Sequence, residues 1–240
     1  MACGGSAFRM AADGREDIGS RRKGQDIMKT PEQLKALTIA EFNKAAMSFD
    51  GNHAGIYRLC RNDYPDILRE LKKESFGSLL DCGCGTGAML TLVRKHHPDV
   101  PLTGIDLSPE MIRAARARKL ENAEFVEGDC ENLPFADKSF DAVICSMSFH
   151  HYTHPEKFLK SCVRILRPGG RLILRDMTVP GPLLWFVNRV ELPLGNLIGK
   201  GDVHCYSPSE LRVLAEKAGL TCLAAERRKN LRLHAVFRKP

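Results

Sequence analysis

The residues best able to do chemistry stand in three clusters, each a little over twenty positions from the next. Leu79-Leu80-Asp81-Cys82-Gly83-Cys84-Gly85-Thr86-Gly87 carries an apolar strand pattern into a helical one beginning at Ala88. Its three glycines let the backbone turn sharply, so that a ligand can lie against main-chain N–H groups at a positive helix end. With Ala88 the loop also satisfies the G-x-G-x-x-A dinucleotide fingerprint, so these residues alone leave an NAD-type site open, as well as a turn that serves only chain geometry. Thr103-Gly104-Ile105-Asp106 closes the next strand with a carboxylate placed to accept both ribose hydroxyls of an adenosine, Ser108 already capping the helix that follows. Glu127-Gly128-Asp129-Cys130 ends a third strand with another acid, placed to accept from an exocyclic adenine amine.

A fourth run, Cys145-Ser146-Met147-Ser148-Phe149-His150-His151-Tyr152, follows an apolar strand whose far end faces the ligand crevice of an open α/β sheet. His150 is the first choice for a general base there and His151 the second, because imidazole titrates near neutrality. The plainer alternative is a pair of hydrogen-bonded histidines supporting the crevice wall. No metal is expected, since adjacent histidines point in different directions and no carboxylate shares the segment. Asp176, at the end of the fifth strand, is a further crevice-side acid with either a structural or a substrate-contact role.

The elements that must position these groups alternate regularly. Short apolar runs at Leu79 to Cys82, Leu102 to Asp106, Glu124 to Glu127, Phe140 to Cys145 and Arg171 to Arg175 are separated mostly by helical stretches, the sequence form of a parallel sheet with helices on both faces. Ser108-Pro109 and Ser207-Pro208 each offer a hydroxyl cap followed by proline at the first helical position, and Gly219 suits a left-handed helix end. Residues 1–28 read as a disordered extension without apolar periodicity, and 29–76 as a helical N-terminal segment whose Phe42, Phe49, Tyr57 and Tyr64 can pack over a site. Residues 77–240 form the core, with an apolar insert at about 180–205, holding the only tryptophan, placed to cover an acceptor pocket.

Taken jointly, Asp81 to Gly87, Asp106, Gly128-Asp129, Phe140-Asp141 and Leu166-Arg167-Pro168-Gly169-Gly170 resemble the successive motifs of class I S-adenosylmethionine (SAM)-dependent methyltransferases. The resemblance is to the small-molecule branch that contains the ubiquinone and menaquinone C-methyltransferases, and it covers about Phe42 to Lys239. It implies a Rossmann-like, seven-stranded, mostly parallel α/β sheet whose last strand, near Leu231 to Phe237, runs antiparallel. It also implies a SAM site formed by Tyr57, Asp81, Gly83, Cys84, Gly85, Gly87, Asp106, Leu107, Met111, Asp129, Cys130 and Ser146. The glycine loop would meet the amino acid moiety, Asp106 the ribose, and Asp129 with Cys130 the adenine.

The acceptor expected is a small, largely apolar molecule. Methyltransferases of nucleobase amines carry Asn or Asp before Pro-Pro-aromatic after the fourth strand, and cytosine-C5 enzymes a Pro-Cys pair; this chain has neither. The net charge of +7 hints at nucleic acid, but much of the excess lies between Arg227 and Lys239, where alternation reads as the wet side of a sheet edge. Nine scattered cysteines, several inside apolar strands, fit reduced thiols, and the absence of a long apolar run fits a cytoplasmic chain without a membrane span. An NAD-dependent reductase would bring a Tyr-x-x-x-Lys pair, yet Tyr57, Tyr64, Tyr152 and Tyr206 precede Arg61, Leu68, Glu156 and Glu210 at that spacing. A non-catalytic SAM-binding protein would keep the same cofactor motifs.

Overall fold

The computed structural model describes residues 29–51 and 60–240; the extension 1–28 and Tyr57 lie outside the described residues. Seven strands form one sheet in the order β3-β2-β1-β4-β5-β7-β6. They are β1 (Leu79–Cys82), β2 (Leu102–Asp106), β3 (Ala123–Glu127), β4 (Phe140–Ser146), β5 (Leu166–Met177), β6 (Thr221–Arg228) and β7 (Arg232–Arg238). The pairs joining β1 to β5 are parallel, while β7 runs antiparallel to both of its neighbours. β1 pairs with both β2 and β4, so the strand order reverses there and a crevice opens beyond the strands' carboxyl ends.

Side-chain alternation divides the core in two. Ala142, Ile144, Ile173 and Val236 face one side, packed by α2 (Tyr64–Leu71), α3 (Ala88–His96) and α4 (Pro109–Ala117). Val143, Cys145, Leu172, Leu174, Leu233, Ala235 and Phe237 face the other, packed by α5 (Pro155–Ile165) and α8 (Pro208–Ala218). The helix ends follow the local chemistry read from sequence. The Ser108 hydroxyl accepts from Met111 N–H, Ser207 and Glu210 form a capping box, and Gly219 closes α8 with φ of 101°. Thr30 and Gln33 make a second capping box that starts α1 (Pro31–Ala45).

The expected wet edge is instead interior. β7 lies between β5 and β6, and Arg232 and His234 are buried. Their alternation is real, but the polar set shares a face with Arg171 and Arg175 of β5, and α2 with its flanks covers that face with acids. Asp63 meets Arg175 at 2.9 Å and Arg232 at 3.6 Å, Glu70 meets His234 at 3.2 Å, and Glu74 meets Arg238 at 2.5 Å. The arginines are therefore matched internally by these acids, and His234 packs against Glu70. β6, not anticipated as a strand, forms the exposed edge; its burial is mixed, so it gave no clean period-two signal.

Helices α6 (Gly181–Phe186) and α7 (Leu192–Leu197), joined by a π-helical turn at Val187–Glu191, form the insert. The described cysteines are all free thiols. No helix among the described residues is long and apolar enough to cross a membrane.

Candidate active site

A cavity of about 500 Å³ opens at the carboxyl ends of β1, β2, β3 and β4, where the switch in strand order predicts it. Gly83, Gly85, Asp106, Asp129 and Ser146 line it from these strand ends, joined by Asp81, Cys84, Leu107, Met111 and Cys130. Two expectations fall outside this wall. Tyr57 is not among the described residues, and Gly87 does not line the cavity. Gly87 caps α3 in the left-handed region, φ 77°, and a Cβ there would come within 2.9 Å of the Phe125 ring, so its need for glycine is backbone conformation and close packing.

The loop is fixed by its carboxylates. Asp106 Oδ2 accepts from Gly85 N–H at 2.8 Å and Oδ1 from Ser108 N–H at 2.9 Å, tying the glycine turn to the start of α4. Asp106 thus braces both turns besides facing the cavity, while the Ser108 hydroxyl caps α4 and donates to Asn43 of α1. Asp81 is buried at the cavity floor; burial and the nearby Asp106 charge push its carboxyl up to about 8. No ion pair with Asp81 forms among the described residues, which leaves a buried acid facing a ligand space. The Ser146 hydroxyl is also buried without a hydrogen-bond partner among the described residues, again at the cavity wall. A cationic ligand with amino and hydroxyl groups would satisfy both.

Asp129 accepts from Glu131 N–H at 2.9 Å and from Lys35 Nζ at 2.6 Å. Lys35 on α1 also binds Glu131 at 2.6 Å, so the N-terminal helix closes over the third strand end through a two-acid clasp. Sequence reading missed Lys35 and Glu131. The only signal was an acid two residues past Asp129, and nothing local pairs it with a lysine nearly a hundred positions earlier. Thr38, Glu41, Phe42 and Phe49 continue this lid along the cavity, as do Cys60 and Tyr64.

At the opposite end stand His150 and His151. His150 donates its backbone N–H to Asp176 at 3.0 Å, and its Nδ1 lies 2.6 Å from the same carboxylate. The two rings do not diverge as adjacency implied. A 3-10 turn at Phe149–His151 brings their centroids to 4.0 Å, and Asp202, from the far end of the insert, lies 3.4 Å from His150 Nε2 and 3.4 Å from His151 Nδ1. Burial opposes charge on His150, but Asp176 and Asp202 overcome it and raise its pKa to about 10. Burial and the His150 cation hold His151 down at about 4. The two carboxylates thus favour the charged form of His150, while burial beside it favours the neutral form of His151. Asp176 proves to be the residue that orients His150. Asp202 was missed because nothing in Gly201-Asp202-Val203-His204 places it beside residues fifty positions away.

Part of the insert reaches this end. Val187, Glu191, Lys200 and Asp202 line the cavity, whereas Trp185 points outward and is 66% exposed. The loop is pinned by backbone bonds, Val203 and His204 N–H both donating to the His150 carbonyl at 2.8 and 3.1 Å. The Thr38 hydroxyl donates to the Gly201 carbonyl at 3.2 Å, joining α1 to the insert.

Residues 80–174 match the family described as a methyltransferase domain. The chain is 33% identical over 147 residues to the demethylmenaquinone methyltransferase of Thermotoga maritima, a match covering 59% of this chain and 62% of that protein, so it spans less than two thirds of that relative's length. It is 33% identical over 186 residues to the ubiquinone/menaquinone biosynthesis C-methyltransferase UbiE of Pseudomonas syringae pv. syringae, covering 68% of this chain and 70% of the relative. Among solved structures, the 1,6-didemethyltoxoflavin-N1-methyltransferase of Burkholderia thailandensis, with 1,6-didemethyltoxoflavin and S-adenosylhomocysteine bound, superposes with a TM-score of 0.65 at 20% identity. That match covers 93% of this chain and 98% of the other.

Proposed function

Because this chain belongs to the class I SAM-dependent methyltransferases, we propose that it transfers the methyl group of SAM to a small, partly apolar molecule by direct in-line displacement. One observation carries the reading: the glycine turn, Asp106 and Asp129, from three strand ends, line a single cavity whose far wall holds the histidines and the insert. SAM supplies a methyl group on a positively charged sulfur. The Gly83 to Gly85 backbone and Asp81 bind the amino acid end, Asp106 the ribose hydroxyls, and Asp129 with Cys130 the adenine edge. Lys35, bound to Asp129, closes over that end.

The acceptor sits between the insert and the aromatic lid of Phe42 and Phe49, beside His151. The apolar lining and the quinone-directed names of the relatives favour a small, ring-bearing acceptor over a macromolecule. The protein's main task is to hold the nucleophile in line with the methyl carbon in a dry site, an orientation effect that reaches about 7–11 kcal/mol in favourable cases.

Calorimetry with S-adenosylhomocysteine, and separately with NADH, tests the assignment. The homocysteine ligand is expected to bind at micromolar strength and NADH not to bind. Removing the Asp106 charge with Asp106→Asn should weaken binding about 10- to 150-fold, the equivalent of about 1.5–3 kcal/mol for a lost charged hydrogen-bond acceptor. NADH binding in place of S-adenosylhomocysteine would end the reading.

A further inference from the structure

Two features of the sequence spoke against a metal: the adjacency of His150 and His151, and the lack of a carboxylate near them. The fold reverses both. We propose that His150, His151 and Asp202 form a binding site for one divalent first-row cation, of the Zn²⁺ type, at the acceptor end of the cavity.

Geometry carries the proposal. One donor atom from each of the three residues lies within 4.8 Å of the others. Asp202 Oδ1 is 3.4 Å from His150 Nε2 and 3.4 Å from His151 Nδ1. A tetrahedral shell with bonds of about 2.0–2.1 Å has ligand–ligand edges of about 3.3–3.4 Å. Charge-assisted hydrogen bonds are shorter, about 2.7–2.9 Å, so these contacts have the spacing of ligands around an ion rather than of groups bonded to each other. The hydrogen bonds run to groups outside the triad: His151 Nδ1 meets the Gly201 carbonyl at 3.2 Å, through a proton the ion would displace, and His150 Nδ1 meets Asp176. Asp176 holds His150 Nδ1 at 2.6 Å, which turns Nε2 toward Asp202, the carboxylate–histidine arrangement that orients metal-ligating imidazoles.

The donors are also preorganised. Asp176 is buried, and its Oδ1 also accepts from Met177 N–H at 2.7 Å, while Val203 and His204 clamp the Asp202 loop to the His150 carbonyl. All three ligands line the cavity, so a fourth position faces the acceptor, the form of a catalytic rather than a structural site. The use of the ion rests on the methyl-transfer reading; its binding does not. A hydroxyl or amine of the acceptor would lose its proton to water on binding the cation, and the resulting nucleophile would attack the methyl carbon. The C–S bonding pair then returns to sulfur, leaving a neutral thioether.

The test uses the full chain after chelator treatment, titrated with Zn²⁺ by calorimetry and with Co²⁺ by visible absorption. One ion per chain is expected, with Co²⁺ ligand-field bands and no thiolate charge-transfer absorption. Asp202→Asn should weaken Zn²⁺ binding at least about 100-fold and Asp176→Asn about 10- to 100-fold, the range for an outer partner. If Asp202→Asn loses its circular dichroism, His151→Gln gives the same reading. Zn²⁺ affinity unchanged in the folded ligand variant, or a Co²⁺ spectrum dominated by thiolate charge transfer, overturns the site. S-adenosylhomocysteine binding, measured in the same parent chain, reports separately on the methyl-transfer reading.

Discussion

Asp63 and Arg175, 112 residues apart in sequence, meet in the interior with Oδ1 at 2.9 Å from Nη2 and 3.2 Å from Nε. Neither side chain is more than 3% exposed. The pair fastens the start of α2 to β5, the strand that also carries Asp176.

Replacing Asp63 with Asn leaves the guanidinium of Arg175 and its neighbour Arg232 without their shared carboxylate. Breaking such a buried pair from one side costs about 3–5 kcal/mol where the remaining charge is uncompensated; Asp66 Oδ2, 3.0 Å from Arg175 Nη2, stays in place and puts the cost at the lower end of that range. Urea unfolding of Asp63→Asn should show a loss of that size; a loss under about 1 kcal/mol would mean that the network contributes little.

Two glycines with similar backbones should respond differently to alanine. Gly83 has φ 73°, and a Cβ there would stand 2.5 Å from Ser148 Cβ; Gly169 has φ 79° and nothing within 4 Å. Gly169→Ala should therefore show only the left-handed backbone penalty, about 1–2 kcal/mol. Gly83→Ala adds a collision at the ligand loop and should both destabilise further and abolish S-adenosylhomocysteine binding. Equal stabilities for the two variants would refute the steric argument.

His234 predicts a pH dependence. It is fully buried, and burial, then the Arg228 and Arg175 cations, push its pKa down to about 4, against the attraction of Glu70. The folded chain thus keeps His234 neutral while the unfolded chain takes up a proton below about 6.5. Stability contributed here is present above pH 6.5, falls as pH drops toward 4, and is constant below, a swing of about 3 kcal/mol. Acidic groups also titrate at the low end, so the measurement is a comparison of urea midpoints for parent and His234→Asn at pH 7.5, 5.5 and 4.5. The gap in pH sensitivity between them should open below 6.5; parallel curves would show that His234 is not the group responsible.

The parts of the fold that were readable in sequence are those fixed by local physics. The strand ends at Asp106 and Glu127, the Ser108 and Ser207 caps and the Gly219 terminus depend on neighbours within a few residues, and they stand where the pattern puts them. That the glycine turn, Asp106 and Asp129 line one cavity was legible for the same reason, since each group stands at the end of its own strand. What escaped is non-local. Arg232 and His234 looked solvated because their partners, Asp63 and Glu70, lie more than 160 positions earlier. Asp202 and Lys35 became site residues only when loops and helices from both ends of the chain closed over the sheet, and no periodicity encodes that meeting.

Inserting β7 between β5 and β6 has a consequence for how the molecule is made. β6 touches the sheet only through β7, so during vectorial synthesis the strand 221–228 has no place to dock until residues 232–238 have left the ribosome. The basic face of β5 must wait equally long for its neighbour. Without β7 that edge of β5 would be bare and open to mispairing.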